Sequence, residues 1–524
     1  MQLPTRPVVP GFHPDPSVCR VGEVYYLANS SFEYAPGVPI HRSTDLRTWE
    51  HIGHALDRPS QLPLEGVGAS GGILAPTLRH HDGRFWMIST LLVDEPRTFL
   101  VTAEDAAGPW SDPVWIPDAP GIDPDLAWDD DGVCLLTWTR FGEGIVQAVL
   151  DPRTGALLTE RRRLWQGAGG KFPEGPHLYR VGAYWYLLIA EGGTERGHAV
   201  TIARGPSPSG PFEACPGNPI LTARGSDAPV QSTGHADLVQ RPDGTWAMVY
   251  LGVRPRGSSP EWHVLGRETF ACEVRWSEGW PGTAEAIQPT TAPELTEHLT
   301  AAGQPLPPSW VAPGAFPADV LKATRNGRRL TAAAGPAFVG RRQEHLYLRA
   351  RATVIADEEA GESSAFGEAG GSGGAVGGAG GSGGSGRAGG AGGTGGLELR
   401  IDARHAVRVE VADGRVRAVA RIGAAHAVLG EAAATGETTL ELRVVPHGAA
   451  TPFGTDMGPD EVVAGTSGPD GFRELGRIDG RYFSTEVAAG MTGRMVGLVC
   501  SEGEVLFRSF TYSGADDPEV LDAR

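Results

Sequence analysis

The chain lacks the features of several protein classes. Its 524 residues contain no apolar run near the 18 residues that a membrane-spanning helix needs. The N-terminal stretch MQLPTRPVVPGFHPD has neither the basic start nor the apolar segment of a signal peptide. Basic residues are also few, with 45 Lys and Arg against 63 Asp and Glu and a net charge of −18, which argues against nucleic acid or an anionic membrane as the main partner. We expect a cytoplasmic enzyme for a neutral or basic small molecule, with neither nucleic acid nor membrane as a partner.

Cysteine is scarce, too. The five cysteines are scattered along the chain, and none forms a CxxC pair. A disulfide framework and a zinc site are therefore both unfavoured. We expect free, buried thiols at Cys19, Cys134, Cys215, Cys272 and Cys500.

Tryptophan is missing from the last part of the chain, because all 13 tryptophans lie at or before Trp310. Around this residue the stretch TAAGQPLPPSWVAPGAFP is rich in proline and glycine, which is typical of a linker. We therefore predict a first domain over residues 1–300, a linker over 301–316 and a second domain over 317–524.

The second domain shows strand patterns that one glycine-rich tract interrupts. Apolar and polar residues alternate in segments such as HLYLRARATVIA and AVRVEVADGRVRAVARIG, which predicts an antiparallel β-sandwich. In the tract 367–396, 18 of 30 residues are glycine, and such a tract buries too little side chain to offset the entropy of ordering. We predict a disordered insert without a catalytic role at about 360–396.

The first domain contains a fivefold repeat. Each copy has a short apolar strand, a turn with glycine and an aromatic-rich strand, as in DPSVCRVGEVYYLANS and HADLVQRPDGTWAMVYL. Successive turns are 49 to 62 residues apart, a spacing typical of four-stranded propeller blades. The pattern predicts an all-β protein whose first domain is a five-bladed β-propeller, with turns at Gly22, Gly83, Gly132, Gly182 and Gly244.

Ionisable residues recur at one position of this repeat. The residues just before the first strands are Asp15, Ala75, Asp123, Glu174 and His235. Prolines beside the three acids restrict the backbone there, which would hold the carboxylates in fixed directions. Each acid alone is more readily explained as a turn residue, but three acids at equivalent positions indicate a shared site.

Three converging carboxyl groups suit the cleavage of a glycosidic bond. One protonates the leaving oxygen, and a second supports attack at the anomeric carbon. A third raises the pKa of the acid by like-charge repulsion, which keeps its proton on near neutral pH. Calcium binding is the alternative, but it requires more oxygen ligands on one loop than separate blades provide.

Motifs in a fixed order carry a family resemblance over about the first 290 residues. They include FHPDPSV, GGILAPTLR, GIDPDLAWDDDG, KFPEGPHLY, GHADLV and LGRETF. Together they resemble glycoside hydrolase family 43, in particular its β-xylosidase and α-L-arabinofuranosidase branch. AFVGRRQEHLYLRARA and FSTEVAAGMTG look like the concanavalin-like antiparallel β-sandwich that follows the propeller in that branch. The resemblance implies a five-bladed propeller that hydrolyses with inversion.

The resemblance also implies roles for the acids. Asp15 matches the general base that activates the attacking water, and Glu174 matches the general acid. Asp123 matches the residue that orients the acid and raises its pKa, a role for which Asp125 is a weaker match.

Further residues match the sugar pocket of the family. Arg267 would contact sugar hydroxyls, Phe32 would form an aromatic wall, and His235 would lie in the central channel near a water or a calcium ion. Leu74 stands where the family often has an aromatic, and Met491 stands where an aromatic of the sandwich domain can approach the site. No cofactor is required, and calcium in the channel is left open.

We therefore expect an exo-acting glycosidase that releases xylose or arabinose from xylo-oligosaccharides or arabinofuranosides. Inversion would place the two catalytic carboxyls roughly 6.5 to 9.5 Å apart. The alternatives are a retaining propeller glycosidase of the fructosidase type and a carbohydrate-binding propeller without catalysis. The preferred pentose, calcium binding and assembly into a homo-oligomer are left open by the sequence.

Overall fold

The computed structural model describes residues 4–64, 66–290, 294–299, 305–355, 393–434, 436–452 and 454–522. In these ranges helix is limited to three short α-helices and one 3₁₀ turn: α1 (Pro317–Val320), the 3₁₀ turn Gly480–Phe483, α2 (Thr485–Ala488) and α3 (Pro518–Asp522). No helix among the described residues is long and apolar enough to span a membrane. The predicted all-β class is confirmed.

Residues 17–287 form five separate sheets that follow one another along the chain, each with four or five strands. The first three sheets contain β1 (Ser17–Val21), β2 (Val24–Ala28), β4 (Gly37–Ser43) and β5 (Glu50–Leu56); β6 (Gly72–Ile73), β7 (Thr77–His81), β8 (Arg84–Leu92), β9 (Pro96–Ala103) and β10 (Val114–Ile116); and β11 (Ile122–Trp128), β12 (Cys134–Arg140), β13 (Gly144–Asp151), β14 (Ala156–Leu157) and β15 (Arg162–Trp165). The next two contain β16 (Glu174–Val181), β17 (Tyr184–Glu191), β18 (Ala199–Gly205), β19 (Glu213–Ala214) and β20 (Leu221–Thr222); and β21 (Gln231–Gln240), β22 (Trp246–Val253), β23 (Glu268–Ser277) and β24 (Trp280–Ile287).

The five predicted turn glycines each join two strands of one of these sheets. The antiparallel hairpins are β1–β2, β7–β8, β11–β12, β16–β17 and β21–β22. All five glycines have positive φ, from 58° at Gly182 to 84° at Gly244, a region that glycine adopts without strain. The predicted repeat of hairpins is confirmed.

The later part of the chain forms two larger antiparallel sheets that share one core. Leu348 and Phe510 of one sheet belong to the same buried hydrophobic cluster as Leu399 and Val496 of the other. The eight-stranded sheet contains β25 (Glu294–Leu299), β27 (Leu321–Thr324), β28 (Gly327–Thr331), β30 (Tyr347–Ile355), β35 (Glu437–Val445), β36 (Glu461–Gly468), β37 (Gly471–Asp479) and β39 (Glu504–Ala515). The six-stranded sheet contains β29 (Ala337–Arg342), β31 (Thr394–Asp402), β32 (His405–Ala412), β33 (Arg415–Ile422), β34 (Ala425–Ala433) and β38 (Met495–Glu502).

The predicted end of the first domain at residue 300 is too late. Strand β25 pairs with β39 and so belongs to the eight-stranded sheet. Within the predicted linker, Trp310 is buried with its ring 4.8 Å from that of Phe510, and β26 (Ala312–Pro313) pairs with β3 (Tyr34–Ala35). Composition misses these contacts because they depend on partners far along the chain. The remaining division into domains stays a prediction.

The predicted glycine-rich insert ends earlier than residue 396. Residues 356–392 lie outside the described part of the chain, but Thr394–Asp402 is strand β31. A Cβ atom on Gly395 would lie 2.2 Å from the Val499 carbonyl oxygen, and one on Gly396 would lie 2.1 Å from that of Val409. These two glycines therefore permit close strand packing, which composition alone does not distinguish from a flexible tract.

All five cysteines lie among the described residues, and each is free and buried. Burial raises the pKa of the Cys19, Cys134 and Cys272 thiols to about 12. The prediction of free, buried thiols is confirmed.

A buried ionic contact links the first strands of several sheets. The Arg79 guanidinium of β7 donates to Asp125 Oδ1 of β11 at 2.6 Å and to Asp237 Oδ2 of β21 at 2.9 Å. Its Nη2 also lies 2.8 Å from His177 Nδ1 of β16, which in turn lies 3.2 Å from Asp125 Oδ1. Both carboxylates are fully buried, and one cation thus pairs with two acids from different sheets.

Hydroxyl groups extend this contact to the remaining sheet. Ser17 Oγ of β1 donates to Asp237 Oδ2 at 2.8 Å, and the Tyr179 hydroxyl of β16 donates to Asp237 Oδ1. Burial alone would raise the pKa of Asp237, but Arg79, His177 and the Tyr179 hydrogen bond lower it to about 2 overall. All five sheets therefore contribute to one network, called the Arg79 network below: Ser17, Arg79, Asp125, His177, Tyr179 and Asp237.

We expect Arg79→Met to lower the free energy of unfolding by about 3–5 kcal/mol, because two buried carboxylates lose their cation. Denaturant unfolding measures this loss. The matched control is Arg84→Met in the same sheet, since Arg84 is 45% exposed and its ion pair with Glu104 is 3.6 Å long. The free energy of unfolding of Arg84→Met should lie within about 0.5 kcal/mol of that of the wild type. Equal stabilities of the two variants would contradict the structural role of Arg79.

Candidate active site

The three predicted acids stand at the entrances to the first strands of three sheets. Asp15 lies two residues before β1, Asp123 is the second residue of β11, and Glu174 is the first residue of β16. The backbone is left-handed at Asp15 (φ 52°) and Asp123 (φ 53°), which is uncommon for residues other than glycine. The β16–β17 ladder shifts register just after Glu174, and such bulges redirect side chains. Local backbone irregularity therefore turns these side chains out of the regular strand pattern.

Asp15 is buried among groups that stabilise its negative charge. Arg267 Nη1 donates to Oδ1 at 2.8 Å, and Ser30 Oγ donates to Oδ2 at 2.5 Å. His235 Nδ1 lies 3.6 Å from Oδ1. Burial alone would raise the pKa of Asp15, but Arg267, His235 and Ser30 lower it overall. Asp15 is therefore a charged carboxylate at neutral pH.

Glu174 and Asp123, by contrast, have raised pKa values. Burial and the nearby Asp15 charge raise the pKa of Glu174 to about 7, against the lowering effect of Arg267. Burial, Glu174 and Asp15 raise the pKa of Asp123 well above its usual value. The site thus combines one charged carboxylate with two carboxyls that tend to retain their protons.

Asp123 acts on Glu174 through the backbone. Its Oδ2 accepts a hydrogen bond from the Gly175 N–H at 3.1 Å, which fixes the peptide that follows Glu174. The predicted role of Asp123 in raising the pKa of Glu174 stays a prediction, and the nearby charge of Asp15 also raises that pKa. The hydrogen bond between Asp123 and the Gly175 N–H supports a role of Asp123 in orienting Glu174.

Asp125 does not join these acids. It is fully buried and paired with Arg79, and its Oδ2 accepts a hydrogen bond from the Leu178 N–H at 3.0 Å. Its alternative assignment as the residue that tunes Glu174 is therefore not supported by its contacts.

His198 belongs to the site and was missed by sequence analysis. Its Nε2 lies 3.8 Å from Glu174 Oε1, and its Nδ1 donates to the Ser232 carbonyl at 3.2 Å. Burial and the neighbouring His235 lower the pKa of His198 to about 3, so the imidazole is neutral. His198 immediately precedes β18, the third strand of its sheet, whereas the repeat pattern drew attention only to residues before first strands.

Apolar residues and a loop of the later sheets line the Asp15 side. The Arg267 guanidinium lies 5.6 Å from the centre of the buried Phe32 ring, and Leu74 packs on the same hydrophobic cluster as Phe32. Arg267 Nη2 donates to the Met491 carbonyl at 3.2 Å, and the Met491 N–H donates to Ser70 Oγ at 2.8 Å. A loop near the end of the chain therefore reaches the site and contacts the residue that holds Asp15.

The structure thus brings the seven predicted site residues into one connected region. Sequence analysis identified them from repeat position and motif: Asp15, Asp123, Glu174, Arg267, Phe32, Leu74 and His235. It missed Ser30 and His198, whose types and positions carry no repeat signal.

The side chains around His235 do not fit a calcium site. Calcium takes 6–8 oxygen ligands, but Asp15 beside His235 is paired with Arg267. Asp125 and Asp237 are both paired with Arg79. Among the described residues, no group of three or more His, Cys, Asp or Glu side chains is arranged to hold a metal ion.

Several known proteins are similar to this chain. The pattern of glycosyl hydrolases family 43 matches residues 4–281. The chain is 40% identical over 391 residues to the non-reducing end alpha-L-arabinofuranosidase BoGH43B of Bacteroides ovatus, covering 68% of this chain and 72% of that protein. It is 47% identical over 297 residues to a xylosidase/arabinosidase of Butyrivibrio fibrisolvens, covering 54% and 56%. The solved structure of a xylan beta-1,4-xylosidase from Bacillus halodurans C-125 matches with a TM-score of 0.80 and 28% identity over 97% of this chain and 99% of that one.

We expect Gly175→Ala to reduce kcat by about 100-fold, because a small displacement of Glu174 has a cost of that order. A Cβ atom at Gly175 would lie 2.9 Å from the His235 ring, whereas one at Gly182 would meet nothing within 4 Å. Both glycines have φ of 58°, so Gly182→Ala has the same backbone strain and serves as the control. It should keep kcat within about twofold. Initial rates on nitrophenyl β-xyloside and nitrophenyl α-arabinofuranoside measure kcat of both variants. An equal loss of kcat in Gly175→Ala and Gly182→Ala would show that the contact with the His235 ring is not the cause.

Proposed function

We propose that this chain, which belongs to glycosyl hydrolases family 43 and is a glycosidase, releases terminal xylose or arabinose from xylo-oligosaccharides or arabinofuranosides with inversion. The observation that carries the proposal is the difference between two carboxyls of the site. Asp15 has a lowered pKa, whereas the pKa of Glu174 is raised to about 7. A base and an acid of this kind are what a single-displacement hydrolysis requires.

Glu174 is the proposed general acid. Near neutral pH it retains a proton that it can donate to the glycosidic oxygen as the bond to the anomeric carbon breaks. Asp123 holds the following peptide through the Gly175 N–H and so restricts the direction of the acid. After turnover, Glu174 regains a proton from solvent.

Asp15 is the proposed general base. It accepts a proton from the water that attacks the anomeric carbon on the face opposite the leaving group, which inverts the configuration. Arg267 and Ser30 donate to its two oxygens, and these contacts keep it ionised and therefore able to accept that proton.

Arg267 and Phe32 are the proposed contacts of the terminal sugar. A guanidinium beside an apolar ring offers donors for sugar hydroxyls and a surface for a C–H face. The loop at Met491 closes one side of this region through its contact with Arg267, which favours a chain end or a side branch over the middle of a polysaccharide. Leu74 gives apolar contact without an aromatic face, so we propose that it shapes the pocket beside Phe32.

We also propose that the first five sheets are the blades of a five-bladed propeller, and that the two later sheets form a concanavalin-like sandwich. The Arg79 network supports the first proposal because it draws on all five sheets. The core shared by the eight- and six-stranded sheets supports the second. The free, buried cysteines favour a reducing compartment, so we further propose a cytoplasmic location.

Turnover of nitrophenyl β-xyloside and nitrophenyl α-arabinofuranoside across a pH series tests the function. We expect the wild type to hydrolyse at least one of them, with kcat/KM falling as pH rises through about 7, because Glu174 then loses its proton. The acid limb should lie below pH 3.8, the ordinary pKa of aspartate, because the pKa of Asp15 is lowered.

Asp15→Asn and Glu174→Gln are the matched variants, since each replaces a carboxyl by an amide of similar shape. Each should reduce kcat/KM by about 10²–10⁴-fold while leaving the folded state intact by circular dichroism. Hydrolysis of neither substrate by the wild type would favour a carbohydrate-binding protein. An Asp15→Asn variant with near-wild-type turnover would contradict the role of the base.

A further inference from the structure

We propose that Ser70 is a positioning residue that acts on the base Asp15 through Arg267. This inference rests on the proposed function, because it concerns the arginine that keeps the base ionised there. It assigns roles to Ser70 and to the buried acid Glu33, neither of which the proposed mechanism uses.

The peptide groups of Met491 lie between Ser70 and Arg267. The Met491 N–H donates to Ser70 Oγ at 2.8 Å, and the Met491 carbonyl accepts from Arg267 Nη2 at 3.2 Å. At the same time Arg267 Nη1 donates to Asp15 Oδ1 at 2.8 Å. Met491 and Arg267 thus link the serine hydroxyl to the carboxylate of the base.

The loop between α2 and β38 is anchored on both sides of Met491. Before this residue, the Thr485 N–H donates to the His263 carbonyl at 3.2 Å, and after it the Arg494 N–H donates to the Val264 carbonyl at 3.0 Å. At the tip, Met491 is 42% exposed. Burial therefore holds the tip weakly, and the hydrogen bonds of its peptide groups determine their position.

The backbone on both sides of the serine contact is unusual. Ser70 is left-handed with φ of 65°, a conformation that is uncommon for residues other than glycine. Gly490 of the loop has φ of 96°, and a Cβ atom there would lie 2.6 Å from Ser70 Oγ. Strained backbone that persists next to a site indicates a functional reason for its conformation.

The buried carboxyl of Glu33 holds the serine from the other side. Glu33 is 4% exposed, and its Oε2 accepts a hydrogen bond from the Ser70 N–H at 3.0 Å. The Gly314 N–H donates to the Glu33 carbonyl at 2.7 Å, so the backbone of this acid is restrained as well. Ser70 is therefore fixed through its N–H while its hydroxyl holds the loop.

These contacts form a closed ring around the base. The segment 30–33 begins with Ser30, whose Oγ donates to Asp15 Oδ2 at 2.5 Å, and ends with Glu33, which holds the serine. Through the loop of the later sheets the ring returns to Arg267 and so to the other carboxylate oxygen. Both oxygens of Asp15 are thus positioned by one set of contacts, which the serine hydroxyl closes.

Loss of the serine hydroxyl would act on the charge of the base. The Met491 carbonyl would be free to move, and the Arg267 guanidinium would lose the acceptor that fixes its direction. Burial alone would raise the pKa of Asp15, and Arg267 is the largest of the contributions that lower it. A less fixed guanidinium therefore leaves this pKa closer to its ordinary value. The other titratable groups near the base keep their places: His198, His235, Asp123 and Glu174.

Ser70→Ala and Ser70→Gly both remove the hydroxyl, but glycine also permits the positive φ without strain. On the nitrophenyl glycoside that the wild type hydrolyses, we expect both variants to lower kcat/KM by about 3- to 10-fold, the range for one hydrogen bond. The acid limb of the pH profile should move to higher pH. A loss in Ser70→Ala alone would identify backbone strain as the cause and would overturn the inference.

Ser258→Ala is the matched control. Ser258 Oγ lies 3.1 Å from Thr455 Oγ1 and donates to the Asp456 carbonyl at 3.1 Å. It thus also joins the first five sheets to a loop of the later ones, but through partners outside the site. We expect kcat/KM within about twofold of the wild type and an unchanged pH profile. Equal losses in Ser258→Ala and Ser70→Ala would show a general effect of loosening this contact and would count against the role of Ser70.

A double-mutant cycle with Arg267→Lys tests whether the serine acts through the arginine. A lysine ammonium lacks the planar fork with which Arg267 contacts Asp15 and the Met491 carbonyl together. In the Arg267→Lys background, Ser70→Ala should therefore lower kcat/KM by less than about twofold. A loss as large as in the wild-type background would contradict action through Arg267.

The inference and the proposed function fail in different ways. A wild type that hydrolyses neither nitrophenyl β-xyloside nor nitrophenyl α-arabinofuranoside contradicts the proposed function. If the wild type is active and Ser70→Ala matches it in kcat/KM and in pH profile, the role of Ser70 alone is overturned.

Discussion

The buried Arg79 guanidinium is the constraint on which the rest of the first five sheets depends. It pairs with the buried carboxylates of Asp125 and Asp237, and its Nη2 lies 2.8 Å from His177 Nδ1. A buried charge is tolerated only when it is paired and hydrogen-bonded. The three charges can therefore be buried together only while the first strands of different sheets remain in contact. This contact fixes the strands that carry Asp15, Asp123 and Glu174 near their starts.

The carboxyls of Asp15, Asp123 and Glu174 lie in one site on these strands but differ in charge. Burial would raise the pKa of each, but Arg267 and Ser30 stabilise the charged form of Asp15. That charge then helps to keep Glu174 protonated. Arg267 also contacts the Met491 carbonyl, so the later sheets influence the same acid. Arg79 therefore supports the arrangement of the strands. Arg267 keeps Asp15 charged and so maintains the difference in protonation between Asp15 and Glu174.

Sequence analysis identified most of the site because the repeat aligned its residues. Turn glycines such as Gly182 have φ values that favour glycine, so they identify the hairpins, and the three acids stand 7 to 9 residues before those turns. His198 was missed because it precedes the third strand of its sheet, and Arg79 was missed because its role depends on side chains from other sheets. The same reason explains the errors at β25 and β31: a six-residue strand and a glycine-rich strand are recognised only through distant partners such as β39 and β38.

The central claim is that Asp15 activates water while Glu174, held protonated, donates to the leaving oxygen. Proton NMR of the first sugar released from a nitrophenyl β-xyloside tests it most directly, because the anomeric signal records the face of attack before mutarotation. Single displacement by water releases α-xylose first, and this is the expected result. Initial release of β-xylose would show double displacement through a covalent intermediate and would contradict the assignment of Asp15 as a base.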